Sequence, residues 1–578
     1  MLATLNGRAV EAHAGESILD LARREGLDIP TLCHLKGLSP SGACRMCVVE
    51  LDGRPGLVTA CSQQVQEGMA IHTHSPRAVE ARKTIVELLL ANHPDDCLYC
   101  VRSGDCRLQE LAQTHGVRRR RWPAGMRHHR LDVSSPAIGR NPDKCILCGA
   151  CVRVCEERMG VGAIDFTGRG SSTVVAPAFL GDLNLSTCVG CGQCIAVCPT
   201  GALREQSHLD RVVAALEDPE QVVVVQHAPA VSVSLAEEFG LPAGTDLNPQ
   251  LVAALRRLGF HYVFDTAFAA DLTVREEAAE LVQRITHGGP LPLFTSCSPA
   301  WVRWLEQERP ELLPHLSTCK SPQQMMGAVV KSAFARMKGL DPARIFSVSI
   351  MPCTAKKAEA ARPEHAREGL ADVDAVLTVR ELARLLRQRG IRLTELKPDH
   401  ADLPLGMRST AGKLFGASGG VTEAALRTAH FLITGEDPPP MRVEVLHGTE
   451  GLRFATVQAG ILQLRVAVAS GLLQARKLVD EIQQGLHPHL HMVEVMSCPG
   501  GCVAGGGQPL SRDGDDAERR RAVRHAALLR VDDEGMLRRP HRNWAVGELY
   551  RDELGEPLSQ RAHELLHVHR ERPREVEA

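Results

Sequence analysis

Twenty cysteines in 578 residues, nearly all at two-residue spacings, limit what this chain can fold into more than any other feature. The plainest runs are Cys145-Ile-Leu-Cys148-Gly-Ala-Cys151-Val-Arg-Val-Cys155 and Cys188-Val-Gly-Cys191-Gly-Gln-Cys194-Ile-Ala-Val-Cys198-Pro. The N-terminus, Met1-Leu-Ala-Thr-Leu-Asn-Gly7, lacks a charged-then-apolar signal. No apolar run approaches the roughly 20 residues of a spanning helix. A soluble, cytoplasmic protein is expected, and in that reducing compartment such a set is not a disulfide framework. Metal ligation is the remaining reading, because a two-residue spacing lets neighbouring thiolates turn onto one ion or one cubane while loop amides point at the sulfurs.

The length calls for several domains with ample apolar content to bury. A formal charge of -2 puts no field of one sign over the surface, which argues against nucleic acid or an anionic membrane as a partner. The two runs quoted above repeat the bacterial two-cluster pattern, in which each fourth cysteine crosses to the other cluster. Cys145, Cys148, Cys151 and Cys198 then hold one 4Fe-4S cubane, and Cys188, Cys191, Cys194 and Cys155 the second. Glu156 stands where a proline usually follows the first run, without disturbing ligand geometry.

Upstream, the first 75 or so residues alternate apolar and polar and then pass through an amphipathic stretch at Ile18 to Arg24. With Cys33, Cys44, Cys47 and Cys61 they give three close ligands and one distant one. This segment resembles the 2Fe-2S domain at the front of large hydrogenases and of a respiratory complex I subunit. Next, Cys97, Cys100 and Cys106 need a fourth donor, and His93 stands at ligand spacing. The pattern is similar to the 4Fe-4S site with one histidine and three cysteine ligands in the same two families; zinc on the same four donors is the rival. Imidazole in place of thiolate raises a cluster's potential. The basic stretch Arg118-Arg-Arg-Arg-Trp122, with His128, His129 and Arg130, reads as a solvated linker or as a docking patch for an acidic electron carrier.

From about residue 215, apolar runs alternate with helical stretches: Val222–Val225, Tyr262–Phe264, Leu291–Phe294, Phe346–Ile350, Ala375–Leu377 and Val493–Val495. That alternation implies α/β with mostly parallel sheets. Three of the runs lead directly into cysteine loops, Thr295-Ser-Cys-Ser-Pro-Ala-Trp301, Met351-Pro-Cys-Thr-Ala-Lys-Lys-Ala-Glu359 and Glu494-Val-Met-Ser-Cys-Pro-Gly-Gly-Cys-Val-Ala-Gly-Gly-Gly-Gln-Pro509. Ligands of open parallel sheets gather there, beyond the carboxyl ends of strands.

These loops resemble the three signature loops of iron-iron hydrogenases, and the resemblance spans essentially the whole chain. It implies a two-lobed catalytic domain and an H-cluster: a 4Fe-4S cubane on Cys297, Cys353, Cys498 and Cys502, joined through Cys502 to a two-iron unit with CO, CN and dithiolate ligands. Lys356 has the cation and reach to hydrogen-bond a cyanide nitrogen, and Glu359 can orient it. Gly505-Gly-Gly507 permits close backbone approach. The family's proton path maps onto Glu277, Glu280 and Ser317, with Arg284 nearby; from the residues alone, Glu277 and Glu280 read as an exposed acidic helix face. Many relatives carry two adjacent cysteines in the first loop, one on the cubane and one relaying the proton, whereas here Ser298 follows Cys297. The single thiol is assigned to the metal and Ser298 to the relay, a poorer one because its proton is less acidic. The opposite division stays open.

Cys319, left over, reads as a small buried hydrophobe. Phe415-Gly-Ala-Ser-Gly-Gly420 lacks the ending of a phosphate loop, so NAD(P)H chemistry falls to a partner. After Leu529 a polar segment and helical stretches resemble the family's small-subunit-like tail or a generic terminal helix pair. The expected fold is multidomain α+β and α/β: residues 1–76 (2Fe-2S, ferredoxin-like), 77–125 (histidine-plus-three-cysteine 4Fe-4S), 135–208 (two-4Fe-4S ferredoxin-like), 212–527 (catalytic) and 528–578 (helical tail). The expected function is reversible H2 oxidation and proton reduction, with one 2Fe-2S and three 4Fe-4S accessory clusters leading to ferredoxin or NAD(P)H-oxidising partner subunits, and with maturation proteins building the H-cluster. The rivals are a respiratory-type electron-transfer subunit, a hydrogenase-like H2 sensor and an iron-sulfur assembly protein.

Overall fold

The computed structural model describes residues 1–122, 128–439, 443–511, 514–568 and 570. Residues 123–125 of the expected histidine-plus-three-cysteine segment, and 569 and 571–578 of the expected tail, lie outside the described residues. Among the described residues no helix is long and apolar enough to cross a membrane.

At the front, Leu2–Leu5 pairs antiparallel with Arg8–Glu11 and parallel with Ala70–His72, and Val48–Leu51 and Val58–Thr59 complete a five-stranded sheet. The amphipathic stretch forms the helix Ile18–Arg24, whose N-cap Ser17 accepts from the Asp20 amide at 3.1 Å. Such a cap is worth about 1 kcal/mol. Ile18, Leu19, Leu21 and Ala22 all bury in the core of this sheet. The helix Pro76–Ala91 is tied to it by Arg82, whose buried guanidinium donates to Val48 O at 2.8 Å. In the two-run segment, the short helices Ala150–Arg153 and Gln193–Val197 each start after a left-handed glycine, Gly149 and Gly192.

The later half holds two four-stranded sheets. In the first, Tyr262–Asp265, Val222–His227, Ile345–Met351 and Ala375–Thr378 are all parallel. Its strands are apolar on both faces, as parallel strands covered by helices must be. Val223 and Val225 bury with Leu251, Leu255, Leu382 and Leu386, while Val224 points the other way, to Phe264, Phe268 and Phe334. In the second sheet, Leu293–Phe294, Met492–Met496 and Leu462–Ser470 run parallel, and Gly451–Ala459 closes the edge antiparallel to Leu462–Ser470. That hairpin was not anticipated. Its strand Gly451–Ala459 has an alternating, half-exposed face, without the apolar run by which the other strands were recognised. The first strand is shorter than the expected Leu291–Phe294, pairing only at its last two residues.

The helix Thr266–His287 joins the two sheets. Phe268, Ala269 and Leu272 pack into the core of the first, and Ala278 and Leu281 into that of the second. Its acidic residues Glu276, Glu277 and Glu280 are 0%, 0% and 5% exposed, so the reading as a solvated acidic face fails: packing covers the helix on all sides over this stretch. At the far end, the expected boundary at 528 falls inside the helix Gly514–Asp533. Trp544–Leu549 and Gln560–Leu566 form the anticipated terminal helices and bury Ala545, Val546, Leu565 and Leu566 with Phe264 and Phe334.

Candidate functional site

Each of three strands delivers a cysteine just past its carboxyl end: Leu293–Phe294 leads to Cys297, Ile345–Met351 to Cys353, and Met492–Met496 to Cys498, with Cys502 one short turn on. The loops meet with little between them. Gly507 N donates to Pro352 O at 2.9 Å, and a Cβ on Gly505 would stand 2.1 Å from the same oxygen. Glycine here is what lets the third loop lie flush on the second. Lys356 Nζ reaches from the second loop to the first, donating to Cys297 O at 3.1 Å, and pairs with Glu359 Oε2 at 2.9 Å. That carboxylate oxygen also accepts from Ser321 Oγ at 3.0 Å and Gln323 Nε2 at 3.1 Å, which fixes the lysine.

The four thiols share one electrostatic environment. Burial is the largest influence on each and drives all four upward, Cys502 to about 12. Cys353 and Cys502 push Cys498 further, Cys353 pushes Cys502, and Lys356 opposes the rise at Cys297, Cys353 and Cys502. Burial alone raises any thiol, Cys319 included, so it is the convergence of four such thiols from three loops, with Lys356 among them, that marks the site. Among the described residues no three His, Cys, Asp or Glu side chains close on one ion-sized point. A cubane asks for a wider set, since each ligand takes its own iron.

Within the first loop the two neighbours part company. Cys297 packs on the cluster of Ala270, Val274, Phe415 and Met496, and after burial the Glu277 charge bears on it most. Ser298 Oγ lies 2.8 Å from Ser497 Oγ, beside Cys498. The charge of Cys502 bears on Cys297 next after that of Glu277, so Cys297 stands between the carboxyl and the other cluster thiols.

Of the expected proton-path residues, Ser317, Glu280 and Arg284 are joined by hydrogen bonds. Glu277 has no hydrogen-bond partner on either carboxylate oxygen. Burial, and then the charge of Glu280, push it up to about 8, an effect that the nearby Ser296 amide and Ser317 hydroxyl offset only in part. Ser317 Oγ donates to Glu280 Oε2 at 3.0 Å, and Arg284 Nη2 to Glu280 Oε1 at 2.6 Å. The sequence reading missed Glu276, which accepts from the Tyr550 hydroxyl and lies 3.0 Å from His567 Nε2, both supplied by the tail. Partners some 280 residues away leave no local pattern to find. Cys319 is fully buried among Phe264, Met325 and Leu566, as expected.

The other cysteines form sets of their own. Cys33 with Cys44, and Cys47 with Cys61, make hydrogen-bonding contacts in a buried loop. His93 is buried with Nδ1 unpartnered, the orphan nitrogen a ligand site would use. Cys106 Sγ approaches Pro199 O at 3.7 Å, and Cys100 Sγ crowds Gly201. The Cys198 charge bears on Cys145, Cys148 and Cys151, and that of Cys155 on Cys188, Cys191 and Cys194. Charges also act from set to set: Cys33 on Cys148, Cys151 on Cys194, and Cys498 on Cys191. In the basic linker, Arg120 pairs with Asp95 and Arg121 with Glu87, which ties it to the module instead of leaving these charges free.

Comparisons with known proteins find matches along the chain. Family models match residues 221–506 (iron only hydrogenase large subunit, C-terminal domain), 2–76 (2Fe-2S iron-sulfur cluster binding domain), 82–121 (NADH-ubiquinone oxidoreductase-G iron-sulfur binding region), 144–202 (4Fe-4S dicluster domain) and 518–570 (iron hydrogenase small subunit). The chain is 44% identical to the NADP-reducing hydrogenase subunit HndD of Solidesulfovibrio fructosivorans, over 98% of each chain. It is 38% identical to iron hydrogenase 1 of Clostridium pasteurianum, over 97% of this chain and 98% of that one. Its structure is similar to an apo [FeFe]-hydrogenase HydA1 from Chlamydomonas reinhardtii, with a TM-score of 0.56 and 42% identity over 63% of this chain and 98% of that chain.

Proposed function

This chain belongs to the iron-only hydrogenases, and we propose that its H2 chemistry takes place where the three cysteine loops converge, on an H-cluster held by Cys353, Cys498, Cys502 and a donor from the first loop. Its activity is reversible H2 oxidation and proton reduction, with electrons passed through iron-sulfur clusters. When bound, the H-cluster, with its CO, CN and dithiolate ligands, supplies the two-electron redox chemistry. The convergence itself carries the reading, since strands of two different sheets are needed to assemble it.

The chain's own residues do the rest. Lys356, held by Glu359, offers a fixed ammonium to an anionic ligand of the cluster. Glu277, neutral at physiological pH, takes a proton from the first loop and passes it through Ser317 to Glu280 and Arg284 while packing excludes bulk water. Cys188, Cys191, Cys194 and Cys155, next to Cys498, would hold one cubane and Cys145, Cys148, Cys151 and Cys198 a second; Cys33, Cys44, Cys47 and Cys61 would hold a 2Fe-2S cluster and His93, Cys97, Cys100 and Cys106 a further 4Fe-4S cluster, and these groups would supply one-electron transfer between the surface and the site.

The two sheets form the two lobes, in a catalytic domain 212–527 preceded by modules 1–76, 77–125 and 135–208; the tail expected at 528–578 starts with the helix Gly514–Asp533. Ferredoxin or an NAD(P)H-oxidising subunit is the electron partner, the second favoured by the NADP-reducing relative. Maturation proteins supply the two-iron unit, and the setting is cytoplasmic. A plain electron-transfer subunit, or a sensory or assembly protein, would have less use for the buried Glu277, Ser317 and Glu280 line. Assay of the matured chain with reduced methyl viologen tests the reading: H2 evolution is expected, and none with all accessory clusters loaded would overturn it.

A further inference from the structure

We infer that the end of the tail, residues 566–568 and 570, is a positioning clamp on the proton path, and that His567 is the side chain through which it holds Ser317 and Glu280 at relay distance. This rests on the hydrogenase reading above and goes beyond it in giving the tail a part in turnover.

Ser317 begins a short stretch that is held on both edges. On one side, Ser317 N donates to Phe294 O at 2.8 Å, beside a parallel bridge between Phe294 and Leu316, so the stretch continues the second sheet past its edge strand. On the other side stands the tail. Val568 N donates to Thr318 O at 2.7 Å and Lys320 N to Leu566 O at 2.7 Å, around an antiparallel bridge between Cys319 and His567. Arg570 Nη1 adds a bond to Ser317 O at 2.9 Å. A buried stretch paired on one edge alone would leave backbone groups without partners, and the tail supplies them.

Thr318 is where the clamp meets the path. Its amide lies 3.3 Å from Glu280 Oε2, its carbonyl takes the Val568 amide, and its hydroxyl lies 2.8 Å from His567 Nδ1. Two of these three groups are held by the tail. His567 Nε2 faces Glu276 Oε2 at 3.0 Å, with both side chains 0% exposed. A carboxylate only accepts, so Nε2 donates, and the neutral imidazole has Nδ1 left to accept from the Thr318 hydroxyl. Glu276 is fixed in turn by the Tyr550 hydroxyl and the Leu558 amide. It stands one residue before Glu277 and one helical turn before Glu280. A single imidazole thus joins the stretch that carries Ser317 to the helix that carries both relay glutamates, and the 3.0 Å bond from Ser317 Oγ to Glu280 Oε2 is set from both ends.

The test compares the matured full chain with His567→Ala, His567→Gln and Tyr550→Phe, with iron per chain and cluster absorbance reporting the loaded fold. Measured are kcat and KM for H2, and the solvent isotope effect between H2O and D2O. His567→Ala is expected to lower kcat by up to about 100-fold, the cost of a misplacement of about 1 Å, with KM unchanged and a larger isotope effect as proton transfer becomes limiting. His567→Gln, which keeps a donor toward Glu276 and an acceptor toward Thr318, recovers most of the rate. Tyr550→Phe removes a buried hydrogen bond from the same carboxylate without touching Thr318; its denaturation midpoint falls while kcat and isotope effect stay those of wild type. Wild-type kcat and isotope effect in His567→Ala, or equal changes in Tyr550→Phe, overturn the inference, since the tail then serves packing alone. Should His567→Ala not hold its clusters, Thr318→Val breaks the same link from the other side and is read against the same outcomes. If the loaded wild type itself turns over no H2, the hydrogenase reading falls as well.

Discussion

Gln193 Nε2 donates to Cys498 Sγ across 3.2 Å and to Ala504 O at 2.8 Å, joining the second ferredoxin-like cysteine run to the third catalytic loop through a single side chain. A donor to a cluster sulfur stabilises the reduced, more negative state. Gln193→Leu removes it, and the potential of the catalytic cubane should fall by up to about 60–130 mV, the ceiling set by a hydrogen bond to a charged group worth about 1.5–3 kcal/mol at about 1.4 kcal/mol per 59 mV for one electron. Redox titration followed by paramagnetic resonance reads the shift. An unchanged potential would mean that the bond does not reach the cluster.

Close approach at the same junction comes from glycine. A Cβ on Gly506 would lie 2.3 Å from Cys191 O, and one on Gly192 2.4 Å from Thr354 Oγ1. Gly506→Ala must push the two loops apart. Its expected signature is slower H2 oxidation with the protein electron partner, while spectra of the separate clusters stay those of wild type; a rate equal to wild type would show that this contact does not govern transfer.

Glu277 is raised from 4.5 to about 8, so the folded state favours its protonated form. The stabilisation is complete below the unfolded-state value and is lost as pH climbs through about 8. Glu277→Gln removes this dependence: denaturation midpoints should fall less between pH 6 and 9 than in wild type, while turnover drops by roughly two orders of magnitude or more because the amide cannot relay a proton. Equal pH slopes in the two proteins would show that the group is ionised in the fold.

The second loop is anchored by a buried pair. Lys357 Nζ lies 2.9 Å from Glu381 Oε2, both side chains 0% exposed, and Glu381 closes a capping box with Thr378 on the helix Val379–Gln388. Removing one partner strands the other. Lys357→Ala is expected to cost about 3–5 kcal/mol, read by chemical denaturation, and a loss under about 1 kcal/mol would show that water reaches the carboxylate.

Much of this was legible in the amino-acid order because its causes are local. The two-residue cysteine spacings, the helix Ile18–Arg24 and the apolar strands that precede Cys297, Cys353 and Cys498 each carry their own signal. What stayed hidden depends on distant partners. Glu277 and Glu280 look solvated until the strands and helices of both sheets cover their helix, and Glu276 takes partners from Tyr550 and His567. The hairpin Gly451–Ala459 with Leu462–Ser470 has a half-exposed outer strand. In the first loop, the sequence carries no sign that Cys297 packs against Ala270 and Val274 of the helix that bears Glu277.

The infrared spectrum of the chain produced with its maturation proteins tests the central claim most directly. If the three loops hold the H-cluster, bands of bound CO and CN appear, and they vanish in Cys502→Ala while the accessory clusters remain. A matured chain with full accessory clusters and no such bands would contradict the account.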